Sequence, residues 1–146
     1  MIMKATIKQI VECYKRLDTA KVNKLEEADA VKLLKARKAM RPYVDEYDAF
    51  LKDCQEKFKP EDWEEVQGKI QKWQQEGENT TLTIEERKEV NKAVIDYQKK
   101  IDAAVGEELK REVELTIDKL GENCDVKLLQ ENGWKYGELD EIEIVL

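Results

Sequence analysis

An apolar stripe that steps alternately by four and three residues constrains this chain more than any other feature. It runs Met40, Val44, Tyr47, Leu51, Cys54, Phe58, and a matching set runs Val90, Val94, Tyr97, Ile101, Ala104. Each step is close to one helical turn, so each set falls on one narrow helix face. Burying six such side chains contributes on the order of 10 kcal/mol. Ordering a helix of about 30 residues costs several times that, so neither helix stands alone. The two stripes therefore predict a mainly α fold, an antiparallel hairpin or bundle of long helices.

The remaining helices follow from faces and caps. Ile7, Ile10, Val11, Tyr14 and Leu17 share a face over residues 6–18, with Thr6 as its cap. A longer pattern from about Lys24 to Phe58 contains Pro42, which predicts a kinked helix rather than two separate ones. Pro60, followed by Glu61, Asp62, Glu64 and Glu65, reads as the start of a third helix with Trp63, Val66, Ile70 and Trp73 on one face. That shared face makes core the first assignment for Trp63 and Trp73. Residues 77–81 read as a loop. Thr83 and Glu86 form a capping box for a helix that is expected to end near Val105, with Gly106 as stop or kink.

Beyond residue 111 the period changes to two. Val113, Leu115 and Ile117 alternate with Glu112, Glu114, Thr116 and Asp118, and Ile142, Ile144 and Leu146 alternate again at the end. These two runs predict a small C-terminal two-stranded β element. Between them, Val126 to Gln130 reads as a short helix closed by Asn132-Gly133. The expected organisation is one domain over residues 1–146, a helical body of 1–111 carrying an acidic α+β tail module of 112–146.

Charged residues make up 40% of the chain, well above the usual quarter, and the net charge is −7. Residues 1–58 carry +3, residues 59–111 carry −3 and residues 112–146 carry −7. Two readings of the acidic tail stand: it lies against the mildly basic first helices, or it offers an acidic face to a basic partner. The basic run Lys32, Lys35, Arg37, Lys38, Arg41 spreads around a helix and lacks interleaved aromatics, so it reads as a solvated face and not a nucleic-acid site. No apolar run approaches the roughly 20 residues of a membrane span. The first residues lack a signal-peptide core, and three widely spaced cysteines give no disulfide framework. A cytoplasmic location is expected, with no membrane partner.

The chain contains no His, which removes His-based triads, His-containing zinc sites and the Glu-x-x-His di-iron signature. Cys13 and Cys54 fall on apolar faces and read as core. Cys124 sits in a polar stretch and reads as exposed. The pairs Glu86/Glu89 and Asp45/Asp48 read as solvated helix faces, and no phosphate-binding glycine loop or calcium loop occurs. No catalytic residue, cofactor or metal is expected. Trp134 and Tyr136, an aromatic pair in a polar segment, read either as a local cover for the small sheet or as contact residues; with the acidic set Glu112, Glu114, Asp140 and Glu141 they are the candidate contact residues.

In their order along the chain these pieces resemble a family of small proteins encoded in phages and prophages. The resemblance rests on the short leading helix from Ile7 to Leu17 and the Lys/Glu-rich helix from Ala28 to Phe58, with its Tyr-Asp-Ala-Phe segment at Tyr47 to Phe50. It extends to the second long helix, the alternating Glu112 to Ile117, and the acidic-apolar end from Leu139 to Leu146. It implies no catalytic residues, a phage setting in the host cytoplasm or on the virion, and a role in assembly or host interference. A non-enzymatic accessory protein acting through a protein partner or self-association is the leading expectation, in virion or tail assembly. The alternative is an acidic inhibitor of a basic site on a host protein.

Overall fold

The computed structural model describes all 146 residues. Strand β1 (Ile2–Thr6) leads into helix α1 (Ile7–Asp18). Helices α2 (Glu27–Lys57), α3 (Trp63–Glu76) and α4 (Ile84–Lys110) follow, then strand β2 (Glu112–Thr116), α5 (Cys124–Asn132) and α6 (Tyr136–Asp140). Single 3-10 turns lie at Gly77–Asn79 and Glu143–Val145. The fold is mainly α, with two long helices and one small antiparallel sheet, as the periodicity predicts.

The chain divides into two compact units, Met1–Ala49 with Glu107–Leu146 (unit 1) and Phe50–Gly106 (unit 2). No division falls at residue 111. Residues 112–146 lie in the same unit as residues 1–49.

Unit 1 is organised by its sheet. Met3 lies opposite Leu115 and Ala5 opposite Val113. Alternation buries Ala5 and Leu115 and turns Lys4, Glu112 and Glu114 outward. The strand expected after residue 111 is present, but its partner is β1 and not the C-terminal run. Ile142, just before the 3-10 turn, and Ile144 and Val145 within it are all buried, and the Leu120 N–H donates to the Val145 carbonyl at 2.9 Å. A half-buried strand buries only alternate residues, whereas this segment is enclosed and buries neighbours together.

Helix α1 begins with a reciprocal cap. The Gln9 N–H donates to Thr6 Oγ1 at 3.2 Å, and the Thr6 N–H donates to Gln9 Oε1 at 2.9 Å. Its buried face holds Ile7, Ile10, Val11, Cys13 and Leu17. Helix α2 runs unbroken through Pro42, and its buried row of Leu33, Ala36, Met40, Val44 and Tyr47 continues across the proline. The exposed ring forfeits one backbone bond, while the apolar row holds the helix together on its other side. Near the C-terminus of α5, the Glu131 carboxylate accepts the N–H groups of Asn23 and Lys24 at 2.6 and 3.0 Å. Asn132 exchanges hydrogen bonds with the Lys21 backbone. These bonds fix the α1–α2 connection. Gly133, at φ 65°, ends α5 in the left-handed conformation that Asn-Gly leads one to expect. Cys124 is 1% exposed, contrary to expectation, because its thiol shares the inner face of α5 with Leu128, one turn on.

Unit 2 is built on α3 and α4, which fold back antiparallel. Lys69 Nζ lies 3.9 Å from a Glu86 oxygen near the turn, and the Trp63 and Tyr97 rings lie 4.5 Å apart at the other end. The Tyr97 hydroxyl donates to the Gln55 carbonyl at 2.7 Å, tying α4 to the end of α2. The expected capping box forms: the Glu86 N–H donates to Thr83 Oγ1 at 3.1 Å and the Thr83 N–H to Glu86 Oε1 at 3.3 Å. Pro60 starts a turn rather than the helix itself, its carbonyl accepting the Trp63 N–H at 3.1 Å. Helix α4 passes Gly106 and ends at Lys110, not near Val105. One helical glycine costs only about 1 kcal/mol, and the good helix formers Glu107, Glu108, Leu109 and Lys110 follow it.

Candidate functional site

The most distinctive surface of the protein is an apolar groove of about 470 Å3 in unit 2. Ile70, Trp73, Gln74 and Gly77 form one wall, and Val90, Asn91, Val94 and Ile95 form the other. None of the eight carries an ionisable side chain, in a chain whose residues are 40% charged. Charge depletion of this kind marks the centre of protein interfaces. The groove arises because a two-helix hairpin has two faces. The end of α2 occupies the face that carries Tyr97, and no element of unit 2 closes the other. Val94 is consequently exposed although it belongs to the predicted stripe, and Ile95 is 51% exposed beside it. Ile84, one helix face with Asn91 and Ile95, is 65% exposed at the start of α4.

Trp73 is half-buried in the groove wall and Trp63 half-buried in its stack on Tyr97, so neither is a fully enclosed core residue. The periodicity located Ile70, Trp73, Val90 and Val94 on apolar faces but did not distinguish a closed face from an open one. A signal for the open face was present: Gln67, Gln71 and Gln74 replace the usual charged residues along the outer side of α3.

The six candidate contact residues fall in three places of unit 1. Glu112 and Glu114 project from the outer face of β2, where Glu114 lies opposite Lys4. Trp134 is half-buried in the turn after α5, and Tyr136 is 81% exposed at the start of α6. Asp140 and Glu141 line a cleft with Lys8 and Glu12 of α1. There Glu141 is bonded to Arg16, Nε to Oε2 at 2.8 Å, and Glu138 receives the same guanidinium at 3.3 Å.

The basic run on α2 is largely matched by local acids. Arg37 bonds Asp18 at 2.7 Å and lies 5.2 Å from the centre of the Tyr14 ring. Lys32 reaches Asp29 and Arg41 reaches Asp45, each within 4.0 Å. Lys35 and Lys38 alone form no ion pair with the chain.

Cys13 and Cys124 are held in their unreactive thiol form. Burial pushes the Cys13 thiol up to about 12. Burial also raises the Cys124 thiol, with a further contribution from the Asp29 carboxylate beside it. Asp29 itself is held below the usual carboxylate range, chiefly by the Gly121 N–H, which donates to its Oδ1 at 3.0 Å. No cluster of three or more His, Cys, Asp or Glu side chains is arranged to hold a metal ion. No helix is long and apolar enough to cross a membrane. Compared with known proteins, the chain matches no family model, no curated protein and no solved structure.

Proposed function

We propose that this chain is a non-enzymatic contact protein, of the accessory kind that its layout resembles in phages and prophages, and that it works through the α3–α4 groove. The observation that carries this reading is the absence of any ionisable group among the eight lining residues. Exposed Val94 and Ile95 offer apolar area that a helix laid along the groove would cover. The acidic set Glu112, Glu114, Asp140 and Glu141 serves less well as a single contact face, because Glu112 and Glu114 lie on β2 apart from the α6 pair and Glu141 is already bonded to Arg16.

The test is site-specific photocrosslinking in cells that carry the natural gene. A photoreactive side chain at Asn91, an exposed lining position, is expected to give a defined covalent adduct. The same group at Lys38, on the outer side of α2, serves as control. Adducts at Lys38 as abundant as those at Asn91 would remove the groove from the reading.

A further inference from the structure

The two walls of the groove differ in charge along their outer margins. On α4 the outer row is Lys88, Lys92, Ile95, Lys99, steps of four, three and four residues that lie on one face, with Asp102 one further step of three along it. On α3 the corresponding row is Glu64, Gln67, Gln71, Gln74, continued by Glu78 in the 3-10 turn. One margin is therefore basic and the other neutral to acidic. All the charged members of both rows are exposed. The only ion pairs within unit 2 join Lys69 to Glu65 and to Glu86, so Lys88, Lys92, Lys99, Glu64 and Glu78 are uncommitted.

These rows are complementary to each other, and that selects the occupant. We infer that the groove is one half of a symmetric interface in which two copies of this chain join their α3–α4 hairpins into a four-helix bundle. The inference rests on the contact reading above and names its partner. A face that must be covered, is uncharged in the middle and bears opposite charges on its two edges matches a second copy of itself turned about a twofold axis parallel to the helices. That axis sets α3 of one copy against α4 of the other. Trp63 stacks on Tyr97, so Glu64 and Lys99 lie at the same end of the hairpin. The axis preserves levels along the bundle. Lys99 then meets Glu64 of the second copy, and Lys88 meets Glu78 of the second copy beside the turn. A perpendicular twofold axis would instead set lysine row against lysine row. Ile95, the apolar member of the basic row, enters the shared core with Val94 and Trp73.

Sedimentation equilibrium of the full 17.1 kDa chain tests the inference. A reversible dimer with a Kd of about 10 µM is the expected result. Ile95→Glu changes a side chain already half in solvent, so the fold, followed by circular dichroism, is expected to persist while the dimer weakens at least tenfold. Lys99→Glu and Glu64→Lys are each expected to weaken it severalfold, and the double exchange to restore it. A single-copy mass at every concentration up to about 100 µM overturns the inference. So does a dimer that Ile95→Glu leaves intact, or a double exchange that restores nothing. A monomer that still gives an Asn91 adduct with another protein overturns the dimer alone and leaves the contact reading standing. A dimer by mass with no groove-dependent adduct overturns both, since the copies then join elsewhere.

Discussion

Unit 2 spans Phe50–Gly106, yet it holds only Cys54, Val66, Leu82, Val90 and Ile101 of the 24 buried apolar side chains; unit 1 holds the other nineteen. The difference lies in how the elements are arranged, since both units are rich in amphipathic helix. In unit 1 a sheet, α1, the first part of α2, α5, α6 and the terminal 3-10 turn belong together, and polar bonds link residues more than a hundred positions apart, such as Lys21 to Asn132. In unit 2 two helices and the end of a third lie side by side, and one face of the pair stays open. A small unit buries a smaller share of its surface, and an open hairpin a smaller share still. Apolar side chains in the well-enclosed unit stabilise; those on the open face of the other are available for contact.

The sharpest break of this comparison is a matched pair of truncations. Ile10→Ala, at a fully enclosed site of unit 1, is expected to cost about 4 kcal/mol. Ile101→Ala in unit 2 is expected to cost about 2 kcal/mol, because the thinner surroundings relax into the gap. Urea denaturation measures both, and equal losses would mean that unit 2 is as tightly cored as unit 1. Two glycines extend the test. Gly77 ends α3 at φ 57°, ψ −128°, a region closed to other residues, and Gly77→Ala is expected to cost about 2 kcal/mol. Gly133 ends α5 at φ 65°, ψ 31°, which other residues reach with less strain, so Gly133→Ala is expected to cost about 1 kcal/mol. Thermal unfolding of the two variants would show the order, and its reversal would contradict the backbone assignment.

Ion pairs sharpen the comparison at a smaller scale. Arg16 is 28% exposed and serves two carboxylates, so Arg16→Ala is expected to cost about 1 kcal/mol at low salt and less at high salt. Lys69→Ala, removing the long 3.8 and 3.9 Å pairs of unit 2, is expected to change stability by less than about 0.5 kcal/mol. Acid comes last. Asp29 in unit 1 and Glu86 in unit 2 are both held below their usual values, foremost by the Gly121 and Thr83 N–H groups respectively. A carboxylate with a lowered folded pKa contributes stability above its unfolded pKa of about 3.9 to 4.3, and that contribution is lost as pH falls through the folded value. Carboxyl titration followed by NMR should give both midpoints below those of model peptides. A normal midpoint for Glu86 alone would mean that the α4 capping box does not hold in solution.

Local signals proved readable and distant ones did not. Thr6, Thr83 with Glu86, and Gly133 mark helix ends by chemistry within three or four residues, and each acts in the structure as its spacing predicts. The stripe through Met40, Val44 and Tyr47 is buried as read. Strand β1 is not legible locally, since Ile2-Met3-Lys4-Ala5-Thr6 alternates only weakly and its partner lies beyond residue 111. Alternation at Ile142 and Ile144 suggested a strand, but the buried Val145 beside them breaks the period of two. The polar neighbours of Cys124 point to exposure, whereas its four-residue spacing to Leu128 points to the buried face it occupies. The groove has no signature in the periodicity, which locates an apolar face without saying whether anything covers it.

The pairing of β1 with β2 also sets an order of events during synthesis. Residues Ile2–Thr6 are made well before Glu112–Thr116 and find their partner only once that segment has emerged. Unit 2 is one continuous stretch, and all of it has been made before that moment. The looser unit is therefore complete while the tighter one still waits for its second half.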